Sequence, residues 1–182
     1  MLPTGEVKFE VDKETGLLRL DRPQRFSSLC PALYGFIPRT WCDTETAARC
    51  MESTGLTDIL GDGDPIDICV LTGVTVPSAP FLVDVRPIGG LRMIDNGEAD
   101  DKIIAVMPAD ASFGHLRELS ECPRGLIERI DHYFLSYKQS PRKPARSVQI
   151  AEEYGAAEAR ATIAASLADY ERHFGRPGTI TR

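Results

Sequence analysis

Three aspartates fall within six residues in Gly61-Asp62-Gly63-Asp64-Pro65-Ile66-Asp67, immediately ahead of the apolar run ICVLTGVTV at 68–76. Gly63 and Pro65 stiffen the turn that carries them, so Asp62, Asp64 and Asp67 are presented together and repel one another. A hard divalent cation relieves that repulsion by taking oxygen ligands, which makes magnesium or manganese the natural counter-charge. The second acidic stretch, Asp95-Asn96-Gly97-Glu98-Ala99-Asp100-Asp101, admits the same reading or that of a solvated turn, because Asp and Gly favour turns on their own account. An EF-hand calcium loop is excluded by spacing: its fifth and twelfth positions fall on Ile66 and Gly73, where ligands are required.

Donors accompany the acids. Lys8, Lys102 and Lys138 each sit beside a strand or helix carrying polar residues, and Arg22 ends a predicted hairpin. Taken singly, each reads as an ordinary surface charge. Gathered with tyrosines around a metal-binding acidic centre, they fit a polyphosphate, whose oxygens need both metals and donors.

The chain that must position these groups has 182 residues, 42% hydrophobic and 26% charged, the composition of one globular domain. With 21 Lys and Arg against 27 Asp and Glu, a net charge of −6 argues against a binder of phosphate backbones. No run approaches the ~18 apolar residues of a membrane span, and Met1–Glu10 has neither a basic nor an apolar signal region, so a cytoplasmic protein without membrane or nucleic-acid partners is expected. Five scattered cysteines without CxxC spacing read as buried reduced thiols and exclude zinc as the natural metal.

Alternation at 6–12, a turn at 14–16 and a second run at 17–22 predict a β-hairpin. Apolar segments at 68–76, 81–94 and 102–108, bounded by Gly, Pro and Asp, predict a compact antiparallel sheet or small barrel. Leu126, Ile130, Phe134 and Tyr137 predict a helix near 121–138. A second helix near 152–174 is expected to bury a stripe of Ile163, Leu167, Tyr170 and Phe174 and to stop at Gly175. The stretch 40–61 is long for a connection and holds a short helix at 45–51. Residues 1–182 read as a single domain.

The sequence resembles the soluble family I inorganic pyrophosphatases. Asp62-Gly63-Asp64-Pro65-Ile66-Asp67 matches the family signature, and Lys8-Phe9-Glu10, Asp21-Arg22, Pro31 through Tyr34-Gly35, Arg86-Pro87-Ile88-Gly89, Asp95, Asp100 with Lys102, and Tyr137-Lys138 follow in family order. The resemblance implies a mainly β fold with flanking α, a five-stranded OB-like β-barrel, and magnesium-dependent hydrolysis of pyrophosphate to two orthophosphates, with Mn2+ or other divalent cations as substitutes. It implies Glu10, Asp62, Asp67, Asp95 and Asp100 as metal ligands, Asp67 bridging. Asp64 is the implied proton acceptor, with Tyr34 and Lys138 beside it in catalysis, and Lys8, Arg22, Tyr34, Lys102, Tyr137 and Lys138 bind substrate. A homo-oligomer, with a hexamer favoured, is implied on the same ground.

Three departures stand out. The Glu that the family carries on a strand before Lys-x-Glu has no counterpart, Glu6 being too close to Lys8, which leaves either an upstream start or an outer metal site lacking one contributor. Cys30 stands where the bacterial pattern places a Tyr, and a thiol is a poor phenol substitute. Residues near 40–61 form an insertion. The alternative function is therefore a weakened homologue that binds pyrophosphate and metal without efficient turnover. An OB-like nucleic-acid module would need a basic groove studded with aromatics, which an acidic chain with one Trp does not supply.

Overall fold

The computed structural model describes residues 7–12, 14–15, 17–23, 29–76, 81–139 and 147–175, and of 7–11, 18 and 21–23 the backbone alone. The predicted hairpin is formed by β1 (Val7–Val11) and β2 (Leu18–Pro23), an antiparallel pair that sets Lys8 opposite Arg22. Its turn is held by the Asp12 carboxylate, which accepts from the Thr15 hydroxyl at 2.6 Å and the Thr15 amide at 3.1 Å.

The main sheet uses β3 (Leu33–Phe36), β4 (Leu60–Gly61), β5 (Asp67–Leu71), β6 (Arg86–Asp95), β7 (Glu98–Ala99), β8 (Lys102–Val106) and β9 (Val148–Gly155), in the order β3-β5-β8-β6-β7-β4 with β9 also paired to β6. Helices α1 (Thr44–Thr54), α2 (Arg124–Ser136) and α3 (Ala156–Phe174) flank it. The architecture is the expected mainly β one with flanking helices, realised as a curled half-barrel.

β5 and β8 pair in parallel and are buried almost throughout, because both faces of the sheet are covered. Side chains alternate between faces, so each strand feeds two cores. Cys69, Leu71, Leu91, Met93, Ile104 and Val106 pack with Ile127, Ile130 and Phe134 of α2. Ile68, Val70, Ile103 and Ala105 pack with Tyr154 of β9 and Ala159 of α3. This parity also sorts the charged residues. Asp67, Asp95 and Lys102 belong to the α2 face, Arg92 to the α3 face.

Two expectations for the last helix are revised. Residues 148–155 form β9 because they hydrogen-bond along β6 from Gly89 to Asp95, so α3 starts at Ala156, whose amide donates to Glu118 Oε2 at 2.8 Å. The buried stripe of α3 is Ala156, Ala159, Thr162, Ser166 and Asp169, while Leu167 and Phe174 are exposed. Small residues win that face because α3 packs closely on β6 and α1. Asp169 reaches across to α1 and accepts from the amides of Asp43, Glu45 and Thr46 at 2.9–3.1 Å, satisfying the helix start from another element. The stretch 40–61 is thereby built into the fold, with Cys50 buried against Ile59, Ile94 and Ala99.

Candidate active site

The Asp62–Asp67 loop is rigid for local reasons. Gly63 sits at φ +67°, a left-handed conformation that glycine adopts without strain, and the Asp64 amide donates to Asp62 Oδ1 at 3.0 Å. Cys42 brackets the turn, its carbonyl accepting from Gly63 N at 3.0 Å and its amide donating to Asp64 O at 2.9 Å. The buried Ile66 anchors the far side, its amide donating to the Thr40 hydroxyl at 3.0 Å.

Asp67 then opens β5, where the register pairs it with Lys102. The Lys102 ammonium, almost wholly buried, donates to Asp67 Oδ2 at 2.5 Å and also to Asp100 Oδ1. Burial works against its charge, yet Asp100 and Asp67 outweigh that and hold it well above the ordinary lysine range. Burial, followed by the Asp67 charge, raises the pKa of the Tyr34 hydroxyl. Asp62 is pushed up to about 8 by burial and by the Asp100 charge. Asp100 is raised by burial, with Lys102 opposing. Three further members lie beyond them: Lys138, just past α2, donates to Asp95 Oδ2 at 2.8 Å, and Tyr137 lies beside it with the ammonium 5.4 Å from its ring centroid. Lys138 and Asp100 feel each other's charge, which joins this pair to the first group.

Tyr34, Asp62, Asp67, Asp95, Asp100, Lys102, Tyr137 and Lys138 are thus brought together, and Asp64 is exposed on the loop beside them. Lys8, Glu10 and Arg22 lie on the hairpin strands, and their side chains are outside the described residues.

A match to the family model described as inorganic pyrophosphatase spans residues 2–171. The chain belongs to this family. The inorganic pyrophosphatase of Chlamydia muridarum is 46% identical over 173 residues, covering 92% of this chain and 82% of that one. That of Chlamydia caviae is 47% identical over 182 residues, covering 97% and 84%. Among solved structures, the inorganic pyrophosphatase from Thermus thermophilus superposes with a TM-score of 0.75 at 29% identity, covering 93% of this chain and 87% of the other.

Among the described residues, no three His, Cys, Asp or Glu side chains are grouped so as to hold a metal ion; Asp67 and Asp100 both close on the ammonium of Lys102. The donor set nevertheless suits a family of divalent-metal enzymes: all-oxygen, hard and rich in negative charge, with Asp62 raised to about 8 where it stands. At neutral pH that carboxyl is mostly protonated, and a nearby cation is what would ionise it.

Other motif residues have structural work. Arg86 of the Arg-Pro-Ile-Gly match donates to the carbonyls of Gly114 at 2.5 Å and Leu116 at 2.9 Å, tying down the loop after β8. Cys30 is half-buried and packs against the core cluster that holds Cys69. The sequence reading missed the buried group of Arg92, Asp101, Tyr154 and Glu158 on the opposite face. Its one signal is the extra aspartate beside Asp100.

Proposed function

We propose that this chain hydrolyses inorganic pyrophosphate to two orthophosphates with the help of divalent cations, magnesium first and Mn2+ as a substitute. The observation that carries the reading is the convergence of Tyr34, Asp67, Asp100 and Lys102 where β5 and β8 begin, with Asp62 close enough to be raised by Asp100. Asp62, Asp67 and Asp100 would hold the cations, and Asp95 and Glu10 would add to metal binding. Bound there, the cations supply a water acidified from ~15.7 toward neutrality and offset charge on the phosphoryl oxygens.

Asp64, on its rigid turn, accepts the proton of the attacking water at its carboxylate, a contribution of about 10²–10⁴-fold for a well-placed general base. Lys102, held at the cluster by Asp67 and Asp100, would donate to a phosphate oxygen of the bound substrate. Lys8, Arg22, Tyr34, Tyr137 and Lys138 complete the donor ring. In-line displacement concentrates charge on the phosphoryl oxygens and the leaving phosphate, so these donors hold the transition state more strongly than the ground state.

Residues 1–182 act as one domain in this reading, in the cytoplasm and as a homo-oligomer, the family resemblance favouring a hexamer. None of the described helices is long and apolar enough to cross a membrane. The test is substrate choice in saturating magnesium. Rapid orthophosphate release from pyrophosphate, with none from a simple phosphomonoester, is expected; equal release from both, or none from pyrophosphate, contradicts the proposal.

A further inference from the structure

The segment 100–102 carries two side chains of the proposed site and, between them, one that faces away. Asp100 and Lys102 meet on the α2 face. Asp101 turns to the α3 face, where its Oδ2 accepts from Arg92 Nη1 at 2.8 Å and from the Tyr154 hydroxyl at 2.9 Å. Arg92 is fully buried, and its Nη2 donates to Glu158 Oε1 at 2.6 Å. Glu158 accepts in turn from Arg49 of α1 at 2.5 Å.

The sheet itself sets up this chain of pairs. Leu91 is in register with Lys102, so Arg92 comes opposite Asp101, and on its other side Arg92 faces Glu152 of β9. Gly90 leaves room for Tyr154: a Cβ there would lie 2.5 Å from the tyrosine ring. The Arg92 guanidinium stands 4.8 Å from the same ring centroid. A buried guanidinium is tolerated only with such charged partners, and it holds those partners firmly in return. Because side chains alternate along an extended chain, a rotation that released Asp101 would swing Asp100 and Lys102 away from the cluster together.

We infer that Arg92, Asp101 and Tyr154 are positioning residues for the proposed hydrolytic site, locking the 100–102 segment so that Asp100 and Lys102 point into the carboxylate cluster. The inference rests on the pyrophosphatase reading. None of the three residues reaches substrate; they act through the strand, as partners behind a metal ligand do.

The test uses the full chain and two readouts: magnesium binding by calorimetry without substrate, and hydrolysis kinetics. Asp101→Asn keeps the size of the side chain and an acceptor for Tyr154 while removing the charge paired with Arg92. In the folded variant the magnesium dissociation constant is expected to rise roughly tenfold, with KM rising alongside and kcat at saturating magnesium falling less. Tyr154→Phe, which deletes one hydroxyl, should move the same constants in the same direction by a smaller factor, and it decides the matter if Asp101→Asn does not fold. Unchanged magnesium binding and KM in the deciding variant, beside an active wild type, overturn this inference alone. A wild-type protein that neither binds magnesium nor releases phosphate overturns the reading beneath it as well.

Discussion

The two faces of the sheet carry opposite kinds of charge cluster. On the α2 face, four carboxylates share two ammoniums: Lys102 pairs with Asp67 and Asp100, Lys138 with Asp95, and Asp62 pairs with neither, burial and the Asp100 charge lifting it to about 8. On the α3 face, two guanidiniums answer three carboxylates: Arg92 pairs with Asp101, Glu158 and, at 3.9 Å, Glu152, and Arg49 pairs with Glu158. Burial raises Asp101 only to about 6, with Arg92 opposing, so it stays ionised at neutral pH. For Glu158, hydrogen bonds from Arg92 and Arg49 outweigh burial and hold it below its ordinary value. A cluster whose guanidiniums each pair directly with carboxylates fixes structure. A cluster with surplus carboxylates is suited to taking up cations, and that difference separates machinery from scaffold.

The largest effect expected from breaking this contrast is at Asp67. Asp67→Asn should lower phosphate release by about 10³-fold or more, since it strips a ligand from the cations and an anchor from Lys102 together, and a continuous phosphate assay reads it directly. Next is Lys102→Met, for which a loss of about 10²–10³-fold in kcat is expected, on the scale of one transition-state donor. Its melting temperature without metal should also fall, because Asp67 and Asp100 are left without the ammonium between them, and added magnesium should restore most of the difference.

A carboxylate used for structure should behave in reverse. Asp169→Ala removes the acceptor for three backbone amides at the start of α1 and should cost about 2 kcal/mol in urea unfolding, while kcat stays within about threefold of wild type.

The smallest effect concerns pH. Asp131 on α2 is raised to about 6, first by burial and then by the Glu153 charge, against Arg124. The folded chain therefore binds more protons than the unfolded chain between the ordinary value of 3.8 and about 6, and this residue's contribution to stability falls as pH rises through that window. Asp131→Asn should flatten that slope and raise the melting temperature slightly at pH 7, by less than the raw shift suggests because solvent screens the site.

What the sequence disclosed followed from locality. Asp62, Asp64 and Asp67 sit in one short turn, so their closeness along the chain needs no knowledge of tertiary structure, and the α2 stripe through Ile130 and Phe134 repeats at helical spacing. Long-range pairing hid the rest. Glu152 and Glu153 read as the start of a helix, yet β6 recruits them into a strand. The buried face of α3 consists of Ala, Thr, Ser and Asp, which hydrophobic periodicity overlooks in favour of Leu167 and Phe174. Arg49, Arg92, Asp101 and Glu158 are each unremarkable in sequence and become a unit only when α1, β6 and α3 meet.

Surplus carboxylates on the α2 face are proposed to recruit divalent cations that help split a phosphoanhydride. Orthophosphate release from pyrophosphate, followed as magnesium is titrated into chelator-treated protein, tests it most directly. The rate is expected to sit at background without metal and to climb to saturation as magnesium is added. A rate indifferent to magnesium, or one that stays at background throughout, would contradict it.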